Sequence, residues 1–411
     1  MKRILFFGLL LLAACSQAPT PTGNADLAAQ QLGTRADDAL VSVAVDTKLG
    51  AVFVMGSTEG SLDGTNKGYN DVILRRYNRN GGVVWKRQLG SSGYDGAGAV
   101  ATDGRGFVYA GYTLDAPDGT ASKLEKLRSD GTSVWNRALQ TRTPYGNQTV
   151  EVSALATDKD GNIYAGGAFY ETMYLLKYSS KGSLLWTRSA QGGGIFFYPS
   201  GISTDASGNV YVTANDIDDS YIANTVLKYS SSGKQLFSKT ISSKTNDLEL
   251  TGLQVQGDAL YLVGTKHYNW AGDYGKKYDN DGVVAKYSLS GAKVWQKGFG
   301  TTMYDDANGV SVDSDGGVYV TGYTNGTLGG RQVGGSDIFL RKFGTEGNTL
   351  WTKQIGSKGD DYGYAVAAYS SSELYLVGSA GGALKGGTYR GGQDGFLRRT
   401  DGAGNMVWTD Q

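Results

Sequence analysis

Short stretches in which apolar and polar residues alternate recur along almost the whole chain, separated by turns rich in Gly, Asn, Asp and Ser. The clearest copy spans residues 309–356. Val310, Val312, Val318 and Val320 alternate with small or polar residues around Asp315-Gly316-Gly317, a period of two about a turn that needs positive φ, which predicts a β-hairpin. A second hairpin follows after a loop, with Ile338 and Leu340 leading into Gly344-Thr345-Glu346-Gly347-Asn348 and Leu350 and Trp351 leading out. Each unit therefore supplies four strands.

An aromatic residue closes the second hairpin seven times, at Trp85, Trp135, Trp186, Phe237, Trp295, Trp351 and Trp408, spaced 50, 51, 51, 58, 56 and 57 residues apart. A fixed period of this size marks a repeat architecture. No sustained 3.6-residue period follows the first dozen residues, and 63 Gly against 5 Pro suits many tight turns joining strands. Four-stranded units repeated radially predict an all-β fold, a seven-bladed β-propeller with four antiparallel strands per blade over residues 26–411. Blade one runs from Ala39 and blade seven ends at Gln411. Gln31-Leu32-Gly33 repeats the words that finish a fourth strand, Gln88-Leu89-Gly90 and Gln354-Ile355-Gly356. The segment from Asp26 to Gly33 is thus expected to lie along the last strand or to extend it.

The amino terminus carries a different message. Lys2 and Arg3 precede the apolar run Ile4 to Leu12, and Leu12-Ala13-Ala14-Cys15 places small residues before the single cysteine, the pattern of a secretory signal. These residues resemble the lipobox of bacterial lipoproteins, which implies removal of residues 1–14 and acylation of Cys15; an ordinary signal peptide is the alternative. The run is too short for a membrane span of about 20 residues. Residues 15–25, polar and Pro-containing, read as the lipidated cysteine and a flexible tether. Ser16 rather than Asp, within that resemblance, implies outer-membrane sorting or surface display. Without Lys2 and Arg3 the charge is 37 minus 39, or −2, and nothing suggests nucleic acid. One cysteine allows no internal disulfide and no thiolate metal cluster.

The repeat unit resembles the SBBP family of bacterial β-propeller repeats. The resemblance rests on the Val-Asp-x-x-Gly-x-Val-Tyr-Val hairpin and on Gly-Ser-Leu-Asp-Gly at 60–64, Gly-Thr-Leu-Gly-Gly at 326–330 and Gly-Ala-Leu-Lys-Gly at 382–386. Blades three and four shorten this loop, and blade five replaces it with Lys266-His267-Tyr268-Asn269-Trp270 and a Gly/Tyr/Lys-rich stretch. In such a blade the turns after strands one and three share one face, while the loops after strand two and the crossings between blades share the other. The second group is long and varied, so ligand binding is expected there.

Within it, Tyr268, Trp270, Asp273, Tyr274 and Tyr278 form the candidate ligand site, flat amphipathic rings able to stack on a sugar or grip a protein; packing onto neighbouring loops is the structural alternative. Acidic residues at the crossings, Asp37-Asp38, Asp95, Asp305-Asp306 and Asp360-Asp361, are read as turn caps rather than cation ligands, since no complete calcium loop occurs. A base recurs on every third strand, Arg76, Lys126, Lys177, Lys228, Lys286, Lys342 and Arg399, and five first strands end in Asp46, Asp103, Asp158, Asp205 and Asp313; intrablade ion pairs or hydrogen bonds are expected. His267 is the lone histidine, so catalytic triads and histidine metal sites have little to stand on. Residues 287–295 faintly resemble quinoprotein repeats but lack the contacts those cofactors require. No catalytic residue, metal or cofactor is expected. The function read from the sequence is an envelope-anchored binding module for glycan or protein. An envelope scaffold resembling outer-membrane assembly lipoproteins is the alternative, and a polysaccharide-active enzyme a third reading.

Overall fold

The computed structural model describes residues 32–117, 119–143, 146–219, 221–242, 247–268 and 279–411. They form seven four-stranded antiparallel sheets, each in the simple order one-two-three-four. The blades occupy residues 38–89, 96–138, 151–191, 196–242, 248–299, 305–355 and 361–410. First strands contact first strands all round the ring, including blade seven Asp361–Ser370 against blade one Asp38–Asp46. The seven-bladed all-β propeller read from the sequence is the observed fold. One element was not anticipated: a small hairpin of Gln140–Thr143 and Gly146–Thr149 inserted between blades two and three.

Near-continuous apolar runs on the second and third strands place apolar side chains on both sheet faces, and neighbouring blades cover them. Seven separate apolar clusters result, each bridging one pair of adjacent blades. A ring of small cores replaces a single large one, as expected of repeat architectures.

The recurring tryptophan is an interblade clamp. Trp85, Trp135 and Trp186 donate from Nε1 to the carbonyls of Ser129, Ser180 and Ser231, all in the last hairpin turn of the following blade, at 2.8, 3.2 and 3.1 Å. Each ring lies against the turn glycine there: Gly131, Gly182 or Gly233, with φ of 87, 84 and 84°. Only glycine takes that backbone shape cheaply, and a Cβ would strike the indole.

Close approach also dictates the glycine of the second strand. A Cβ on Gly322 would lie 1.8 Å from the Asp306 carbonyl oxygen, because strand one of every blade carries a bulge at this height. The bulged residues are Val41, Gly98, Ser153, Ser200, Thr251, Asn308 and Tyr364. They ring a narrow axial channel of about 270 Å³.

Closure uses both chain ends. Gln88 accepts from Leu62 N and donates to Gly60 O, and Gln354 does the same with Leu328 and Gly326. In blade seven this place is held by Gln411, bonded to Leu384 N and Gly382 O. Leu32 is fully buried in the cluster joining blades seven and one. Gly33 abuts Asp394 as Gly90 abuts Asp71 and Gly356 abuts Asp337. Leu32 and Gly33 thus take the places that follow the last strand; the rest of the segment from Asp26 lies outside the described residues. The place of the repeating word's glutamine is held by Gln411.

Candidate functional site

Much of the recurrent chemistry holds blades together. Lys177 Nζ lies 3.2 Å from Asp158 Oδ2, Lys342 3.8 Å from Asp313, Lys228 3.9 Å from Asp205, and Arg399 2.9 Å from Glu373. The expected pairing with the first-strand acid is present in blades three, four and six, whereas Arg399 of blade seven pairs with Glu373 at the start of the second strand. The bases also reach forward: Arg76, Lys126, Lys177 and Lys228 donate to the carbonyls of Ser129, Ser180, Ser231 and Leu289 in the next blade. In blade one, Asp46 instead accepts from the amides of Lys48 and Leu49.

The acidic crossings are turn caps. Asp38, Asp95, Asp305 and Asp361 each accept the amide of the residue four positions earlier, Thr34, Ser91, Thr301 and Ser357. Among the described residues no group of three or more His, Cys, Asp or Glu converges as a metal site would require.

The long loops of blades one, six and seven are tied down by Gln88, Gln354 and Gln411 over their own fourth strands. Blades two to four lack such flaps. Ala116 pairs with Gly119, Phe169 with Thr172 and Asp218 with Tyr221 in tight second-to-third connections. Above the uncovered interfaces lie two cavities. One, about 370 Å³, is lined by Tyr94, Thr113, Asp115, Thr120, Glu151 and neighbours. The other, about 480 Å³, is lined by Glu151, Ala168, Phe169, Tyr170, Phe196, Phe197 and Tyr198. Glu151 lines both, so the two lie side by side, and together they are called the trough of blades two, three and four.

Aromatic rings stand at both ends of this trough. Tyr94 is 65% exposed and stacks on Tyr69 with centroids 4.4 Å apart and planes 4° from parallel. Tyr170 is 78% exposed, with φ of 51°, and Phe196 is 57% exposed. All exposed aromatic residues among those described lie on this face: Tyr69, Tyr94, Tyr170, Phe196, Tyr268 and Tyr389. The turn face offers only Leu49; Ile195, Met303 and Val333 join the rings on the crossing face, and the remaining exposed apolar side chains line the outer strands.

A polar relay runs from the trough into blades five and six. Tyr198 Oη donates to Glu249 Oε1 at 2.8 Å, and Glu249 Oε2 lies 3.1 Å from His267 Nε2. Asn280 Nδ2 donates to Asp306 Oδ1 at 3.1 Å, and Tyr323 packs edge-on to Tyr362. Burial opposes charge on Glu249, but hydrogen bonds from His267 and Tyr198 outweigh it and hold the carboxyl below its usual value. Burial likewise opposes charge on His267, yet the bond and charge of Glu249 raise its pKa. Both directions favour an imidazolium–carboxylate pair. Burial, followed by the Glu249 charge, pushes the Tyr198 hydroxyl well above its ordinary range.

Of the ligand residues expected from sequence, Tyr268 is half exposed, donates to Asp281 Oδ2 at 2.8 Å and carries the Lys266 ammonium 4.6 Å from its ring centre. Trp270, Asp273, Tyr274, Tyr278 and Cys15 lie outside the described residues. The trough residues were missed, although Gly192-Gly193-Gly194-Ile195-Phe196-Phe197-Tyr198, a crossing unlike the others, was a visible signal.

A family model described as a beta-propeller repeat, SBBP, matches residues 296–330, from the fourth strand of blade five into the loop of blade six. The chain carries an SBBP β-propeller repeat. Beyond that repeat, the chain is 25% identical over 417 aligned positions to "Regulatory protein FlaEY" of Caulobacter vibrioides, covering 88% of this chain. The chain spans about two fifths of that relative, 39% of its length. Among solved structures, a polysaccharide lyase of the ulvan lyase type bound to -[GlcA(1-4)Rha3S]- superposes with a TM-score of 0.57 at 12% identity, covering 93% of this chain and 98% of that one. Hydrazine synthase of Kuenenia stuttgartiensis gives 0.53 at 12% identity, covering 84% and 94%. At such identity these neighbours establish the propeller fold alone.

Proposed function

We propose that this propeller is a non-catalytic binding module that acts through the face of the blade crossings, held at the cell envelope by acylation of Cys15. One observation carries the reading: exposed aromatic rings gather on this face, and two cavities open beside them. Aromatic rings offer large contact area with a polar handle, the composition of recognition surfaces. The lyase neighbour holds an anionic sulfated polymer. That substrate does not transfer readily, because the charged groups lining the trough, Asp115 and Glu151, are both acids. Exposed Ile195, Met303 and Val333 on the same face favour a second reading, a scaffold for envelope proteins.

The test uses the full lipidated protein in detergent and purified envelope fractions treated with protease or with periodate. Loss of binding after periodate supports a glycan ligand, and loss after protease the scaffold reading. Binding that is unaffected by joint replacement of Tyr69, Tyr94 and Tyr389 with Ala, and of Tyr170 and Phe196 in a second variant, refutes use of this face. Release of Cys15→Ser from membranes checks the anchor; a variant that fractionates like the parent removes it.

A further inference from the structure

Resting on the binding-module reading, we infer that the trough across blades two to four holds a linear polysaccharide made of uncharged hexose or N-acetylhexosamine units. Its two cavities, about 370 and 480 Å³, each fall within the ~300–1,000 Å³ typical of small-ligand sites. They adjoin at Glu151, so a chain can engage both where a compact ligand would fill only one.

The lining alternates the two surfaces that a pyranose offers. Sugar rings present apolar C–H faces, which pack on flat aromatic plates, and equatorial hydroxyls, which bond to carboxylates. Tyr94 stands at one end, and Tyr170 and Phe196 at the other; all three are more than half exposed. Tyr170 holds left-handed backbone, φ 51°, a conformation uncommon for a residue with a Cβ. Its ring stands edge-on to Phe169 at the cavity wall, centroids 4.6 Å apart. Between the plates lie Asp115 and Glu151, and the Tyr198 hydroxyl is fixed by Glu249.

Charge selects within the glycans. With only acids lining the cavities, a polyuronate or sulfated chain would be repelled, while neutral hydroxyls and N-acetyl groups meet acceptors and aromatic surface. Over blades one, six and seven the corresponding positions are covered by glutamine-tied flaps.

The experiment is titration calorimetry of the full chain with three hexasaccharides as probes: β-1,4-linked glucose, β-1,4-linked N-acetylglucosamine and α-1,4-linked galacturonate. At least one neutral probe is expected to bind tenfold or more tighter than the galacturonate. Tyr170→Ala with Phe196→Ala should weaken it at least tenfold, whereas Tyr389→Ala, over blade seven, should leave it unchanged. Glu151→Lys, an exposed substitution, should narrow or reverse the preference against galacturonate, and it decides the matter if the double variant melts early. Galacturonate binding as well as or better than both neutral probes, or neither neutral probe binding at millimolar concentration, overturns the proposal. Neutral binding that survives the double variant but is lost in Tyr389→Ala places the ligand elsewhere on the face, which sinks the trough and leaves the broader reading standing.

Discussion

Replacing Lys177 by Met tests how much of the ring's stability resides in its buried charges. Lys177 Nζ lies 3.2 Å from Asp158 Oδ2, donates to the Ser231 carbonyl of the next blade at 3.0 Å, and sits 4.8 Å from the centre of the Tyr164 ring. Both charged side chains are nearly inaccessible, at 5% and 2% exposure. At an effective dielectric constant of about 20, the pair attracts by ~5 kcal/mol, against ~4 kcal/mol for Lys228 and Asp205 at 3.9 Å. Desolvation cancels much of this, yet removing one partner of a buried pair typically costs ~3–5 kcal/mol, because the other charge is stranded. Asp158 keeps bonds from the amides of Asp160 and Asn162 and from the Asn162 side chain, so Lys177→Met should cost ~2–3 kcal/mol, near the low end. Lys228→Met should cost about 1 kcal/mol less, following the longer separation.

Urea unfolding followed by tryptophan fluorescence and far-UV circular dichroism measures both, provided the two transitions coincide. The pH dependence gives an independent check. Burial alone would raise the pKa of Asp158, but hydrogen bonds from Asn162 and the Lys177 contact outweigh it, and the net shift is downward. A lowered carboxyl pKa stabilises the fold above the unfolded value and loses that contribution as pH falls through the folded one. The penalty of Lys177→Met should therefore shrink in acid. A penalty below about 0.5 kcal/mol at pH 7, or one of equal size at pH 3, would refute the reasoning. A charge swap of Lys228 and Asp205 is not expected to rescue, since Asp205 also accepts from the Ser207 and Asn209 amides.

Asp361, Asp394 and Asp410 are pushed up to about 6, chiefly by burial, and His267 is also raised. Between pH 5 and 8 all four hold protons more tightly folded than unfolded, so the stability they lend is lost as pH rises through their folded values. Melting should show stability falling by ~2 kcal/mol or more over that range, and a flat or rising profile counts against it. Gly322→Ala drives a Cβ to 1.8 Å from the Asp306 carbonyl oxygen and should destabilise by ~2 kcal/mol or more in urea titration; a neutral result would mean that the bulge relaxes. Leu32→Ala, at a fully buried position in the seam, should cost ~2–4 kcal/mol. Gln411→Ala, which loses the bonds to Leu384 and Gly382, should cost ~1–2 kcal/mol. Both are read from thermal melts, and parental values for both would deny the joint last strand.

The blade count and strand order were legible because each signal is local: a period of two, a turn glycine and one aromatic residue per unit. The intrablade pairs were legible because a base recurs at the Lys177 place in every copy and an acid at the Asp158 place in five of the seven. The trough was not. It exists because flaps are missing over blades two to four, and an absence acquires meaning only when neighbouring blades are placed side by side. Glu151 shows the difficulty: in sequence it is one acid before an alternating strand, and only the ring sets it between two cavities. The role of Gln411 was hidden for a similar reason, since its partners Gly382 and Leu384 lie 29 and 27 residues away. The hairpin at 140–149 is almost wholly polar, so no apolar alternation announced it.

The tryptophan contact has a direction. Six blades offer an indole and blade four the Phe237 ring on one flank, and every blade a glycine turn on the other, so any excised run of blades would end with an aromatic ring at one terminus and a vacant socket at the opposite one. Such head-to-tail, self-complementary pieces build open filaments unless their rotation brings them back upon themselves. The same polarity lets a block of one or two blades be spliced in or out without inventing a new joint, which gives a chain of this kind a simple route to rings of other sizes.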